Sequence, residues 1–247
     1  MKKYIIILIL IFQFSSAQTA FEKGNQLYQK ENYTEAIHNY ESVLASGKHS
    51  ADLYFNLGNC YYKLHKVAPA VYNYEKALQL NPNDDEIKTN LDFARKMTID
   101  DIKVVPKVGF SKLMEDFTSS YYYDTWAWIA VVLAFVFLTF FAGYYLSGTA
   151  FKKRIFFSGM FFIFLGIVIS VSSGIYEKNR ISSEKPAIVF AETASVKGEP
   201  KATSPETILL HEGTKVYVLE SIANWKKIQL TDETTGWISE DAIKELN

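Results

Sequence analysis

Cysteine is nearly absent: Cys60 is the one thiol in 247 residues, alongside four histidines. A single Cys cannot close an internal disulfide, and one Cys with four scattered His gives no metal-ligand spacing. A nucleophilic thiol needs a nearby His base, and His38, His49 and His65 form no such constellation around the helical Cys60. Packing is therefore the expected role of Cys60, with an intermolecular disulfide left open. No glycine loop with a phosphate-cradling pattern occurs. Charge of one sign is also lacking, since 26 Lys and Arg stand against 27 Asp and Glu. That balance excludes the basic surface a nucleic-acid partner requires. The sequence thus predicts no enzyme, no cofactor and no metal site.

What is present is repetition. Gly24, Ala36 and Tyr40 recur as Gly58, Ala70 and Tyr74, each pair 34 residues apart. That is the period of a helix-turn-helix solenoid unit, which builds a binding surface rather than a catalytic pocket. Gly58 and Ala70 are small enough for two antiparallel helices to approach closely, while Tyr54, Tyr61 and Tyr74 fill the space around that contact. Pro82 ends the second helix, because it lacks an amide hydrogen and disfavours helical backbone at Asn81. In the first copy Ala20 stands for the large aromatic and Lys48 for the proline. A third unit starts with a helix at roughly Asp84 to Lys96, but Asp92 replaces the glycine and no second helix follows, so this segment reads as a capping helix.

The ordered set Tyr54, Leu57, Gly58, Tyr61, Ala70, Tyr74, Ala77 and Pro82 resembles the tetratricopeptide repeat. In that register the concave face takes Phe21, Asn25 and Tyr28 from the first unit and Phe55, Asn56, Asn59, Tyr62 and Lys63 from the second. Asparagines can donate to and accept from an extended peptide, and the aromatics supply apolar pockets. Tetratricopeptide clamps for a C-terminal carboxylate pair asparagines with basic residues. Asn25 and Asn56 match that pattern, but Phe21, Glu86 and Asn90 replace the basic members, which argues against a carboxylate clamp.

The first residues carry Lys2 and Lys3, an apolar run from Tyr4 to Phe14, then Ser15-Ser16-Ala17. The run reads as a secretory signal peptide over 1–17, with an uncleaved anchor as the alternative. Two later runs, Trp126–Leu146 and Ile155–Ile175, each hold 21 residues without a charge. At about 1.5 Å per residue either can cross a hydrocarbon core of roughly 30 Å. Trp126, Trp128, Tyr144 and Tyr145 lie near segment ends, as interfacial aromatics do. The connection 147–154 carries Lys152, Lys153 and Arg154 without an acid, which places it in the cytoplasm. The flanks 18–125 and 176–247 are each net −3 and fall on the opposite side. Gly166, Ser170 and Gly174 recur every four residues, a stripe suited to close helix contact.

Between repeats and membrane, Phe110, Leu113, Met114 and Phe117 make an amphipathic stripe. Two readings stay open: a helix on the outer membrane surface, or one packed on the repeats. Beyond a polar linker at 176–185, short strands are expected at Ala187–Phe190, Thr207–Leu210, Lys215–Leu219, Trp225–Leu230 and Gly236–Ser239. The run Leu210-His211-Glu212-Gly213-Thr214-Lys215-Val216 with Trp225 and Gly236-Trp237-Ile238 resembles the bacterial SH3-like domain over 186–247, a small barrel. Val216, Val218, Ile228 and Leu230 share its inner face, which leaves Tyr217, Trp225 and Trp237 either as a ligand platform or as closures of the barrel ends.

The expected fold class is thus a multi-domain membrane protein. It has an all-α tetratricopeptide repeat domain at 18–97 (units 18–50 and 51–84, then the cap), a linker at 98–125, a two-helix transmembrane hairpin at 126–146 and 155–175, and a small all-β SH3-like domain. The order of these modules resembles the BatE family of the bacterial aerotolerance operon. That resemblance implies a two-pass inner-membrane protein with both soluble parts periplasmic, working beside other Bat proteins in an envelope or oxygen-stress function. The function it implies is a scaffold whose repeats bind a protein partner. The alternative is a cell-wall sensor or tether that binds peptidoglycan through the SH3-like domain.

Overall fold

The computed structural model describes residues 19–103 and 109–246. The expected signal peptide at 1–17 lies outside them. The chain forms two compact units, one joining residues 19–103 to 184–246, the other comprising 109–183.

The first unit opens with five antiparallel helices: α1 (residues 19–29), α2 (Tyr33–Ala45), α3 (Ala51–Lys63), α4 (Val67–Leu80) and α5 (Asp85–Arg95). Their starts follow local chemistry. The side chains of Asn32, Ser50 and Asp84 accept from Glu35 N, Leu53 N and Ile87 N, satisfying first-turn amides. The turns inside each repeat are copies of one another. Glu31 (φ 59°) and His65 (φ 55°), 34 residues apart, both take left-handed backbone. The following amides, Asn32 N and Lys66 N, return to Leu27 O and Tyr61 O at 3.0 and 2.9 Å. This is the six-to-one bond that closes a helix C-terminus.

Close packing explains the small residues that recur between the repeats. A Cβ on Gly24 would stand 2.5 Å from the Tyr40 ring, and one on Gly58 would stand 2.6 Å from the Tyr74 ring. Tyr40, Tyr74, Leu53, Leu57 and Val71 are fully enclosed. Cys60 is buried in the same core, and burial pushes its thiol up to about 12, so it stays protonated and inert at neutral pH.

The rest of this unit is an antiparallel sheet of seven strands among the described residues: β1 (Pro186–Val189), β2 (Thr193–Lys197), β3 (Glu206–His211), β4 (Lys215–Ile222), β5 (Trp225–Gln229), β6 (Thr235–Ser239) and β7 (Ile243–Glu245). Their order is β3-β2-β6-β5-β4-β1-β7, with no ladder joining β3 to β7 among the described residues. Five strands match the sequence expectation in place, and β2 and β7 are additional. Val216, Val218, Ile228 and Leu230 are buried together with Ala187, Val189, Val196 and Ile238. The alternation along β1 decides how the sheet meets the helices. Ala187 and Val189 enter the sheet core, whereas Ile188 and the residue after β7, Leu246, join the helical core of Val67, Val71, Tyr74 and Ile87.

The second unit holds α6 (Phe110–Thr118), α7 (Tyr123–Leu146) and α8 (Ala150–Glu184). Both α7 and α8 are long and apolar enough to cross a membrane. The helix continues through the stretch expected to be a polar linker, and Lys152, Lys153 and Arg154 fall in the first turns of α8 rather than in a loop. An i,i+3 pair, Arg180 to Glu177, supports that extension. The small-residue stripe faces α7. Ser170 Oγ donates to Trp126 O at 2.7 Å, and Cβ atoms on Gly174 and Gly166 would meet Trp126 Cβ and Leu133 Cδ1 at 3.2 and 3.3 Å.

Candidate functional site

The concave face of the helices carries a repeated asparagine ladder. Asn25 Oδ1 accepts from Tyr40 Oη at 2.7 Å and from Asn56 Nδ2 at 3.1 Å. One repeat later, Asn59 Oδ1 accepts from Tyr74 Oη at 2.7 Å and from Asn90 Nδ2 at 3.0 Å. Each carbonyl ties a buried tyrosine to the next helix. Burial raises both phenols, so the hydroxyls remain donors at any physiological pH. The asparagines therefore do structural work that the sequence reading assigned to a ligand. What they leave over is the other half of the amide: Asn59 Nδ2 has no hydrogen-bond partner among the described residues, yet its plane is fixed by two bonds to its oxygen.

Asn59 lines a cavity of about 260 Å³ between α3 and α5. Of the expected residues, Tyr28, Asn59, Tyr62 and Lys63 line it, joined by Tyr74, Glu86, Asn90 and Phe93. Phe21, Asn25, Phe55 and Asn56 lie outside this lining. Phe21 rests on Tyr40 and Phe55 on Tyr74, with centroids 5.7 and 5.9 Å apart, so these rings are framework. Phe93 is a contributor that sequence reasoning passed over, although the 34-residue register places it after Asn25 and Asn59. It is 48% exposed. The groove thus presents a fixed amide donor, one cation, one carboxylate and an exposed ring, a set suited to an extended polypeptide and without the basic cluster a terminal carboxylate needs.

A second cluster joins helices to sheet. Glu75, in the middle of α4, is 5% exposed and lies 2.7 Å from both Arg95 Nη2 and Lys215 Nζ. Burial alone would raise its carboxyl, but Lys215 and Arg95 outweigh that and hold it below the usual range. Lys215, lowered by burial but raised more by Glu75, stays charged. Asp100 likewise loses hydration, yet bonds from Thr214 Oγ1 (2.6 Å), His211 N (2.7 Å) and the His211 ring keep it ionised. Glu212 accepts from Ala68 N at 3.5 Å, serving the start of α4, where Lys66 makes no side-chain cap. Gly213 (φ 88°) permits that turn to press on the helix, since a Cβ there would stand 2.9 Å from Val67 Cγ1. Lys244 Nζ sits 4.3 Å from the Tyr72 ring centroid, and Phe190 meets the same ring edge-on.

The residues considered as a platform lie on adjacent strands of the sheet. Tyr217 and Trp225 are half-buried, each with a lysine over its ring, Lys215 and Lys197. Trp237 is only 8% exposed and does not contribute an open surface. Among the described residues no group of His, Cys, Asp and Glu could hold a metal ion.

Comparison with known families agrees with the helical geometry. The tetratricopeptide repeat family matches residues 51–84, and a second TPR repeat family matches residues 24–65. No curated protein matches the chain. Residues 24–84 are therefore tetratricopeptide repeats, a class of protein-interaction module, which supports protein partners in general.

Proposed function

We propose that this protein is a two-pass membrane scaffold of the BatE type whose repeats hold a partner protein outside the cytoplasm, among other Bat proteins of an envelope or oxygen-stress complex. The groove at Asn59, Lys63, Glu86 and Phe93 carries this reading, since it is open, mixed in chemistry and built on a rigid ladder. The topology draws support from the first unit. Its two segments flank α7 and α8 in sequence and share one buried core, so an even number of crossings between them lets them meet. Lys152, Lys153 and Arg154, in the first turns of α8, fit the cytoplasmic side. The sheet, taken as an SH3-like module, serves here as the partner of α4 and closes the end of the repeat array. A peptidoglycan tether is the less supported reading, because Trp237 is enclosed and Lys215 is committed to Glu75.

Crosslinking in intact cells tests the scaffold. Lys63→Ala and Phe93→Ala each remove an exposed groove contact without touching the ladder, and truncating an interface anchor of this kind typically weakens binding about tenfold. The adduct formed by the wild type should fade in both variants. Undiminished adducts with both folded variants would reject the groove.

A further inference from the structure

Helix α6 keeps an apolar stripe exposed although its other sides are fastened. Phe110, Leu113 and Phe117, spaced three and four residues apart on one face, are 76%, 66% and 48% exposed. Its polar face and its end are held to the apolar helices of the same unit. Glu115 Oε1 lies 3.7 Å from Arg180 Nη1, Arg180 also binds Glu177 on α8, and Thr118 O accepts from Trp126 Nε1 at 2.9 Å.

We propose that the stripe docks on lipid: α6 lies along the outer interface of the bilayer with Phe110, Leu113 and Phe117 at the acyl boundary. The inference rests on the reading that α7 and α8 cross a bilayer. Continuity is the first argument. Residues 119–122 connect Thr118 to the start of α7, and four residues span at most about 14 Å, which keeps the end of α6 close to the start of the first crossing. Aromatic composition is the second. Tyr121, Tyr122 and Tyr123 follow directly, the amphipathic rings that settle at headgroup depth. The third is the length of α8: its 35 residues extend over roughly 52 Å, well beyond a hydrocarbon core of about 30 Å. The Arg180, Glu177 and Glu115 cluster sits on that excess, where its charges meet headgroups and water, with the polar face of α6 turned toward it. An amphipathic helix so placed buries its apolar face just below the headgroups.

Spin labels test this in the full chain reconstituted into phosphatidylethanolamine and phosphatidylglycerol vesicles. Cys60 is fully buried, so single labels can be introduced by Leu113→Cys, Asp116→Cys and Phe135→Cys. Phe135, in mid-α7, reports whether the helix lies in lipid. The expected result is that labels at 113 and 135 collide several-fold more with oxygen than with a water-soluble nickel chelate, and that the ratio inverts at 116. If 135 is lipid-exposed but 113 reaches the chelate as readily as 116, the stripe lies in water and the proposal fails. If 113 is shielded from both relaxers, a protein surface covers it and the proposal fails equally. Chelate access at 135 would instead overturn the membrane reading itself.

Discussion

Glu75→Ala should be the most damaging single polar change in the protein, lowering the stability of the repeat and sheet unit by about 3–5 kcal/mol, because it strands charges in an enclosed site. Lys215 keeps only 24% of its side-chain exposure, so it has little water to turn to, whereas Arg95 at 47% can swing out. Cys60 supplies the readout. It reacts with thiol reagents only when the unit opens, and its labelling rate follows the open population when closing is fast. A loss of that size raises the rate by about 100-fold or more. Glu75→Leu combined with Lys215→Met should recover most of the loss, since an apolar pair of similar volume replaces a buried ion pair at little net change. The pH dependence has a definite sign. Glu75 and Asp100 both have carboxyls held below their usual values of 4.5 and 3.8. A depressed carboxyl contributes its stability fully above the unfolded pKa and loses it as pH falls through the folded one. The urea midpoint should therefore be level above about pH 5 and fall at more acid pH, and Glu75→Leu/Lys215→Met should flatten part of that slope.

Tyr74→Ala should cost a comparable amount, about 3–5 kcal/mol, the usual range for emptying a large enclosed aromatic site. The ring fills the space above Gly58, so the gap opens where α3 and α4 are closest. Tyr74→Phe separates the hydroxyl from the ring. It should cost about 1 kcal/mol, one net hydrogen bond, since Asn59 Oδ1 keeps its bond from Asn90. Denaturant midpoints at unchanged slope would verify the order, alanine far below phenylalanine. Equal losses would mean that the hydroxyl rather than the volume dominates.

How far the sequence reveals this molecule depends on the range of the interaction. Gly58, Ala70 and Tyr74 reveal the repeats because a close helix approach restricts residue size at a fixed period. The left-handed turns at Glu31 and His65 are hidden, since neither is the glycine that would announce such backbone. β2 has only Ala194 and Val196 to mark it, and β7 is three residues long, too little for a period of two to register. The end of α8 is polar enough to read as a linker, yet helix length there follows from pairs such as Glu177 and Arg180. In the groove, Lys63 and Asn59 are legible by register, but the bonding of the asparagines is tertiary. The junction of Glu75 with Lys215, 140 residues away, left one local sign: a carboxylate between Tyr74 and Ala77 on a face that is otherwise apolar.

The repeats and the sheet should lie in one compartment. Asp52→Cys on α3 and Lys201→Cys beyond β2 place single thiols at exposed sites, and buried Cys60 stays silent. Both should react with a membrane-impermeant maleimide when only the outer envelope is opened, with no further gain on lysis. Labelling of one position before lysis and of the other only afterwards would contradict it.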